Sequence, residues 1–347
     1  MKNLFFLMLL IASLFSCRQS DKSSSDNLVI DYYDHSDRDD ILTGGVRLIQ
    51  ISTAAGEFNV WTKRVGNSPT MKILLLHGGP GANHMYFECF DSFLPQEGIE
   101  YYYYDQLGSN YSDQPTDTSL WNIDRFIAEV EQVRKALNLD ESNFYLLGHS
   151  WGGILALEYA LKHQDKMKGL IISNMMASIP DYVSYANEVL APQLDPEVLS
   201  EIRELEASED YDNPRYLELI ETHYYPKHVL HMPIKDWPEP VNRSFSRMNA
   251  QIYISMQGPS EFGIVGDAKL KHWDRKVDLP KIKIPTLTIG GKFDTMDPEH
   301  MRWMANQVQN GRNLTCPNGA HMSMYDDQKI YFEGLIQFIK DVDKGKM

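Results

Sequence analysis

Residues 146–153 read LLGHSWGG, in which a serine stands between glycines and between two apolar runs. The preceding run, 144–147, is short, apolar and partly aromatic, which is typical of a buried strand. The residues that follow favour a helix with one apolar face. Gly148, Ser150 and Gly152 match the pattern G-x-S-x-G, in which a strained turn between a strand and a helix exposes a serine oxygen. This stretch therefore predicts a strand, a sharp turn with Ser150 at its apex, and a helix.

Strands and helices alternate on both sides of this stretch. Segments 71–81 and 99–108 have the pattern of strands that end in loops, 122–139 that of an amphipathic helix, and 168–174 that of a further strand. The segment 46–65 precedes them and has the pattern of a hairpin. Because strands that alternate with helices pair in parallel, we expect an α/β fold with a mostly parallel, doubly wound sheet.

The alternation stops in a segment rich in acidic, aromatic and proline residues, and it resumes with a strand at 284–291. A helical insertion between two strands of one sheet is expected to cover the carboxyl edge of that sheet, where ligands bind. The chain of 347 residues is long enough for one large core with an inserted subdomain. The predicted organisation is a core whose first part is 36–178, a helical cap at 179–276, and a second part of the core at 277–347.

The first 35 residues differ in character from the rest. Lys2 is followed by an apolar run, 4–15, that is too short to span a bilayer comfortably. The run leads into Leu-Phe-Ser-Cys17, which resembles the lipobox of bacterial lipoproteins; an ordinary secretory signal or an uncleaved anchor is the alternative. We expect a lipoprotein signal peptide at 1–16, a lipid on Cys17 and a polar tether at 17–35. The mature protein is then exported and anchored to a bacterial membrane, on its periplasmic or cell-surface side.

The charge and the cysteines exclude several classes of function. The formal net charge is −15, which argues against nucleic acid or an anionic membrane surface as a partner, since both require a basic face. It is mildly consistent with a cationic ligand. Cys89 and Cys316 are too few and too far apart for a disulfide framework and are predicted to be free. No pair among the 11 histidines matches a metal-ligand motif, so neither a metal nor a cofactor is predicted.

A serine hydroxyl needs a neighbouring base, and that base needs an orienting acid. In the fold that uses this turn, the three catalytic residues occur along the chain in the order serine, acid, histidine. The acid and the histidine lie on loops that follow later strands. Asp294 follows the strand at 284–291, and His321 follows a shorter strand. Asp297 precedes a proline and is interpreted as a helix N-cap, and His300 as a solvated helix residue. The predicted catalytic residues are therefore Ser150, Asp294 and His321.

An acyl-transfer site also needs donors for the oxyanion that develops. One is expected to be the backbone N–H of Trp151, directly after the nucleophile. The other is expected to be that of Gly79, in the loop HGGPG at 77–81, where glycine lets the backbone approach a substrate. His77 and His149 are interpreted as local hydrogen-bonding residues rather than as bases.

Four segments together resemble the proline iminopeptidases of the α/β-hydrolase fold: HGGPG at 77–81, DQLG at 105–108, GHSWGG at 148–153 and MQGPSEF at 256–262. The resemblance covers roughly residues 40–340. It implies an α/β-hydrolase fold with an inserted helical cap. It also implies a serine enzyme that releases an N-terminal residue, preferably proline, from small peptides with a free N-terminus through an acyl-enzyme, without a cofactor.

The resemblance further implies a glutamate that binds the free amino group of the substrate, in the Asn/Ser-Glu-Phe motif of the cap. Glu261 matches this position; a solvated surface glutamate is the alternative. Many members carry a second glutamate directly after the catalytic aspartate, where this chain has Thr295. A clamp with one carboxylate is expected to hold the amine less firmly. Ser109 stands where a cysteine is common in the family.

Two other functions stay open on the sequence. The first is a capped α/β-hydrolase that acts on esters or other small acyl substrates, because the catalytic residues do not distinguish it from a peptidase. The second is a catalytically inactive, lipid-tethered binding protein. Such a protein would be expected to lose at least one of Ser150, Asp294 and His321, and all three are present.

Overall fold

The computed structural model describes residues 32–36 and 38–347. The predicted signal peptide, Cys17 and most of the predicted tether lie outside the described residues. Within the part of the chain that is described, no helix combines the length and the apolar character needed to cross a bilayer.

One sheet of eight strands organises the described residues, and its strand order is β1-β2-β4-β3-β5-β6-β7-β8. The strands are β1 (Val46–Thr53), β2 (Gly56–Val65), β3 (Lys72–Leu76), β4 (Glu100–Asp105), β5 (Phe144–His149), β6 (Gly169–Ser173), β7 (Pro285–Gly291) and β8 (Asn310–Cys316). The predicted hairpin is the antiparallel pair β1–β2, and β2 also pairs antiparallel with β4. All remaining pairs are parallel, so the predicted α/β class is confirmed.

The strands β3 to β7 are buried along nearly their whole length because both faces of the sheet are covered. Neighbouring residues of a strand point to opposite faces, so Leu74 and Leu76 of β3 join one hydrophobic cluster, whereas Ile73 and Leu75 join the other. Every residue of β5 is buried. Among the described residues, β8 pairs only with β7 at the edge of the sheet and is partly exposed, which agrees with its polar first half.

Helices cover the two faces and fill the interval between β6 and β7. They are α1 (Ile123–Ala136), α2 (Trp151–His163), α3 (Ile179–Tyr185), α4 (Pro196–Ala207), α5 (Pro214–His223), α6 (Tyr225–His228), α7 (Glu239–Ser246), α8 (Ala250–Met256), α9 (Pro298–Gln307), α10 (Ser323–Asp326) and α11 (Gln328–Asp343). Asp297 caps α9 as predicted, since its side chain accepts a hydrogen bond from the Glu299 N–H at 2.9 Å. The segment predicted as a cap, 179–276, holds α3 to α8 and no named strand.

Parallel pairing brings several loops to one edge of the sheet. The carboxyl ends of β3, β5, β6, β7 and β8 all lie there, because these strands run in the same direction. The loop 77–81 follows β3, Ser150 follows β5, Asp294 follows β7 and His321 follows β8. Residues that are far apart in the sequence thus meet under the helices between β6 and β7.

Candidate active site

Ser150 occupies a strained turn between β5 and α2. Its φ is 55° and its ψ is −125°, a conformation that costs a non-glycine residue on the order of 1–3 kcal/mol. The two flanking glycines are required by close packing. A Cβ on Gly148 would lie 1.9 Å from the carbonyl oxygen of Gly152, and one on Gly152 would lie 2.1 Å from that of Leu76. The pattern G-x-S-x-G therefore holds the serine at the carboxyl edge of the sheet.

The structure brings the predicted acid and base together. The Nδ1 of His321 lies 2.8 Å from Oδ1 of Asp294, and both side chains are buried. The backbone N–H of His321 donates to the carbonyl oxygen of His228 at 3.0 Å, which ties the histidine loop to α6. Ser150 and His321 line the same cavity of about 430 Å³. The Nε2 of His321 is buried and has no partner within the described residues.

The carboxylate of Asp294 is held in its ionised form. Burial opposes ionisation, but the hydrogen-bonded His321, the amide of Asn174 and the N–H of Met296 outweigh it, and the pKa of Asp294 is lowered. Asn174 donates its Nδ2 to Oδ2 of Asp294 at 2.6 Å. For His321, burial lowers the pKa, but the charge and the hydrogen bond of Asp294 outweigh this effect and raise it. The Asp294–His321 pair is therefore suited to base catalysis, in which His321 takes up a proton at Nε2.

Thr295 lies against the contact between Asp294 and His321. Its hydroxyl lies 3.3 Å from Oδ1 of Asp294 and 3.1 Å from Nδ1 of His321. The side chain is fully buried, so it belongs to the support of the histidine.

A chain of hydrogen bonds links the glycine loop to the histidine loop, and we call it the Tyr86–His149 relay. The N–H of Gly78 donates to the Tyr86 hydroxyl at 2.6 Å, that hydroxyl lies 3.0 Å from Nδ1 of His149, and Nε2 of His149 lies 2.8 Å from the carbonyl oxygen of His321. A carbonyl oxygen can only accept, so Nε2 carries the proton and Nδ1 accepts from Tyr86. Burial is the largest of the effects that lower the pKa of His149 to about 3, which keeps this ring neutral.

The predicted oxyanion donors belong to Trp151, which directly follows Ser150, and to Gly79, which lines the same cavity as Ser150. The N–H of Trp151 is the first of α2 and has no acceptor within the helix. The N–H of Gly78 is already used by Tyr86, which leaves the next residue, Gly79, whose backbone lines the cavity. Gln106 braces the arrangement, because it accepts from the Trp151 indole at 2.9 Å and donates to the carbonyl oxygen of His77 at 3.0 Å.

Glu261 is buried rather than solvated, and it lines the same cavity as Ser150. The Tyr253 hydroxyl donates to its Oε1 at 2.7 Å, whereas its Oε2 is buried and has no partner among the described residues. Burial raises the pKa of Glu261 above its usual value, and His321 and Tyr253 only partly counteract this. A buried carboxylate oxygen without a partner is costly unless a ligand supplies a donor.

The sequence analysis missed a second carboxylate on the cavity wall, that of Glu221 on α5. Desolvation raises its pKa as well. Asn174, Tyr86 and Gln106 were also missed, because each acts through partners far away in the sequence.

The interpretation of His300 was wrong in one respect. Its side chain is largely buried, and its Nε2 accepts from the N–H of Ala177 at 3.2 Å.

The remaining predictions on single residues have clear outcomes. His77 is buried, lies within hydrogen-bond distance of the carbonyl oxygen of Gly78 (2.9 Å), and has a pKa lowered to about 4, chiefly by burial, so it is a local hydrogen-bonding residue as predicted. Cys89 and Cys316 form no disulfide within the described part of the chain. Among the described residues, no group of three or more His, Cys, Asp or Glu side chains is placed to hold a metal ion.

Comparison with known proteins gives the family. Residues 72–328 match the model of the alpha/beta hydrolase fold family. The chain is 58% identical over 296 residues to a proline iminopeptidase of Elizabethkingia meningoseptica, a match that covers 85% of this chain and 98% of that protein. It is 57% identical over 300 residues to a proline iminopeptidase of Flavobacterium johnsoniae, with 86% and 100% covered. This chain belongs to the proline iminopeptidase family of α/β hydrolases.

A solved structure agrees with this assignment. The crystal structure of a proline iminopeptidase from Mycobacterium smegmatis superposes with a TM-score of 0.75 at 25% identity, and the match covers 87% of this chain and all of that one. The family resemblance expected from the four sequence segments is therefore confirmed. Neither the esterase nor the inactive binding protein is favoured by relatives at this level of identity.

Proposed function

We propose that this chain is a serine aminopeptidase that releases the N-terminal residue, preferably proline, from small peptides through an acyl-enzyme. The observation that carries the proposal is the unpartnered Oε2 of Glu261 in the cavity that Ser150 and His321 also line. An N-terminal ammonium supplies the donor that this oxygen lacks, and it places the first carbonyl of the peptide at a fixed distance from the clamp.

The cavity suits a positively charged end of a peptide. Glu221 and Glu261 are on its wall, and none of the described residues that line it is Lys or Arg. Thr295 stands where the family resemblance implies a second glutamate, and the exposed Glu221 of α5 adds a carboxylate elsewhere on the cavity wall. The amine therefore meets the carboxylate of Glu261 in a partly desolvated site, where a charged contact is strong.

The proposed reaction uses the groups in the order that their contacts allow. Ser150 attacks the carbonyl carbon of the first residue while Nε2 of His321 accepts its proton, and Asp294 stabilises the imidazolium through Nδ1. The N–H groups of Gly79 and Trp151 bind the oxyanion. The imidazolium then protonates the leaving amine, and a water activated by the same Nε2 hydrolyses the acyl-enzyme.

Replacing Glu261 tests the amine clamp. We expect Glu261→Gln to lower kcat/KM for prolyl p-nitroanilide about ten- to a hundredfold, because a charge-assisted contact contributes about 1.5–3 kcal/mol. Hydrolysis of p-nitrophenyl acetate should change far less, since this neutral ester does not use the clamp. N-acetylation of the prolyl substrate should cause a loss of similar size in the wild type.

The matched control for this experiment is Glu218→Gln. Glu218 lies on α5, its side chain is 64% exposed, and it does not line the cavity. If the free and the N-acetylated substrate react equally well, and Glu261→Gln behaves like Glu218→Gln, the amine clamp is refuted and an esterase becomes the better description.

Export with a lipid anchor is a separate part of the proposal. It is supported by the charged Lys2, the apolar run 4–15 and the Leu-Phe-Ser-Cys17 sequence. A single acyl chain binds membranes only marginally, whereas the several chains of a lipoprotein N-terminus give stable anchoring.

Cys17→Ser should move the protein from the membrane fraction to the soluble fraction or leave its signal peptide uncleaved. Mass spectrometry of the mature N-terminus of the wild type should find an acylated Cys17. Cys89→Ser is the matched control and should stay with the membranes. A mature N-terminus without lipid, at any other residue, would contradict the anchor.

A further inference from the structure

The cavity that holds the catalytic side chains is buried at one end and exposed at the other. Ser150, Glu261 and His321 are all buried. By contrast, Leu217, Phe245 and Ile254 line the same cavity with 38%, 36% and 53% of their surface exposed. We call these three side chains the apolar rim.

The apolar rim is assembled from three separate helices. Leu217 is on α5, Phe245 on α7 and Ile254 on α8. Each helix has other apolar residues that are buried in the core, so the exposed ones are not simply part of its packing face. Large exposed hydrophobic side chains that converge on one opening, rather than lying scattered, mark a binding surface.

The surface groove beyond the cavity continues past the apolar rim. A second cavity of about 500 Å³ shares Leu217, Ile254 and Pro259 with the first one. An extended peptide that leaves the catalytic cavity at this side thus meets Leu217 and Ile254 before it reaches solvent.

The direction of a bound peptide follows from the proposed function, on which this inference rests. Its ammonium is at Glu261 and its first carbonyl is at Ser150, both at the buried end. The second residue, which departs with the leaving amine, is then directed towards the exposed end. We infer that Leu217, Phe245 and Ile254 form the subsite for the second residue of the substrate and that this subsite selects an apolar side chain.

Charge in the cavity further restricts which second residue of the substrate is accepted. Glu221 lines the wall, and no Lys or Arg is among the described residues that line the catalytic cavity. The second cavity is lined by Lys269 together with Asp212 and Asp267. An acidic side chain on the second residue therefore meets repulsion from Glu221 within the catalytic cavity. Lys269 in the second cavity already donates to the carbonyl oxygens of Thr118 and Trp121. The subsite should prefer a leucyl or phenylalanyl residue, accept glycine less well, and disfavour aspartate.

A competition assay tests this inference on the full enzyme. Equal concentrations of Pro-Leu-NH₂, Pro-Gly-NH₂ and Pro-Asp-NH₂ are mixed, and their disappearance is followed by mass spectrometry. We expect kcat/KM for the leucyl substrate to exceed that for the glycyl substrate about tenfold, near the lower end of what a hydrophobic pocket achieves. The aspartyl substrate should be the slowest of the three.

Variants then assign the preference to the apolar rim. Ile254→Ser and Leu217→Ser should each reduce the leucyl-to-glycyl ratio about threefold or more. Val277→Ser is the matched control, because Val277 is 84% exposed and does not line the cavity, and it should keep the wild-type ratio.

The outcomes separate this inference from the function on which it rests. If no prolyl amide is hydrolysed, the proposed function fails. If all three are hydrolysed at equal rates, or if both rim variants keep the wild-type ratio, the aminopeptidase stands and the subsite assignment is overturned.

Discussion

Ser150→Ala is expected to lower kcat for prolyl p-nitroanilide by about 10⁶, the loss that follows removal of the nucleophile from a serine protease. The backbone contacts of Ser150 do not depend on its hydroxyl. Its N–H donates to the carbonyl oxygen of Ser173 at 3.0 Å, and its own carbonyl oxygen accepts from Gly153 at 2.7 Å. The variant should therefore fold like the wild type, with an unchanged Tm.

Labelling with a fluorophosphonate checks the same residue directly. The wild type should carry the label on Ser150, and the alanine variant should carry none. Ser246→Ala is the matched control, because Ser246 is exposed on α7 and its hydroxyl donates to the carbonyl oxygen of Arg243. Label on another residue, or turnover that survives in Ser150→Ala, would rule out Ser150 as the nucleophile.

Asp294→Asn is expected to lower kcat about 10⁴-fold near neutral pH, as the equivalent change does in a serine protease. An asparagine amide can donate to Nδ1 of His321, which places the ring proton on Nε2, where it cannot accept from Ser150. The negative charge that raises the pKa of His321 is lost as well. The acidic limb of the kcat/KM profile should therefore move to lower pH, because a more acidic medium is then needed to protonate the ring.

The neighbouring Asp297→Asn provides the control. The side chain of Asp297 caps α9, and asparagine caps a helix about as well as aspartate does. This variant should keep its activity and its pH profile. Equal losses in the two variants would show that the acid had been assigned to the wrong residue.

Local pattern was sufficient for the hairpin, for most of the parallel strands and for three residues of the candidate site, but not for the individual helices between β6 and β7. The turn at Ser150 is recognisable because its glycines lie in the same pentapeptide, and Asp294 and His321 are recognisable because each follows a strand of the same sheet. The exclusion of Asp297 rested on the proline behind it, which is also a local signal.

The supporting residues could not be found in this way, because their partners are distant in the sequence. Tyr86 acts on Gly78 and His149, which are 8 and 63 residues away. Asn174 reaches Asp294 across 120 residues. The burial of His300 depends on its contact with the N–H of Ala177, 123 residues away. Only the three-dimensional packing reveals such pairs.

The Tyr86–His149 relay has a consequence for where charge can appear during turnover. The rings of His149 and His321 lie side by side, with centroids 5.0 Å apart. Their pKa values are shifted in opposite directions. The pKa of His149 is lowered to about 3, chiefly by burial, and that of His321 is raised. When Ser150 releases its proton, a single ring is available to receive it. The ring of His149 stays neutral. No second positive charge therefore forms that would repel the imidazolium or weaken the attraction of an incoming ammonium to Glu261.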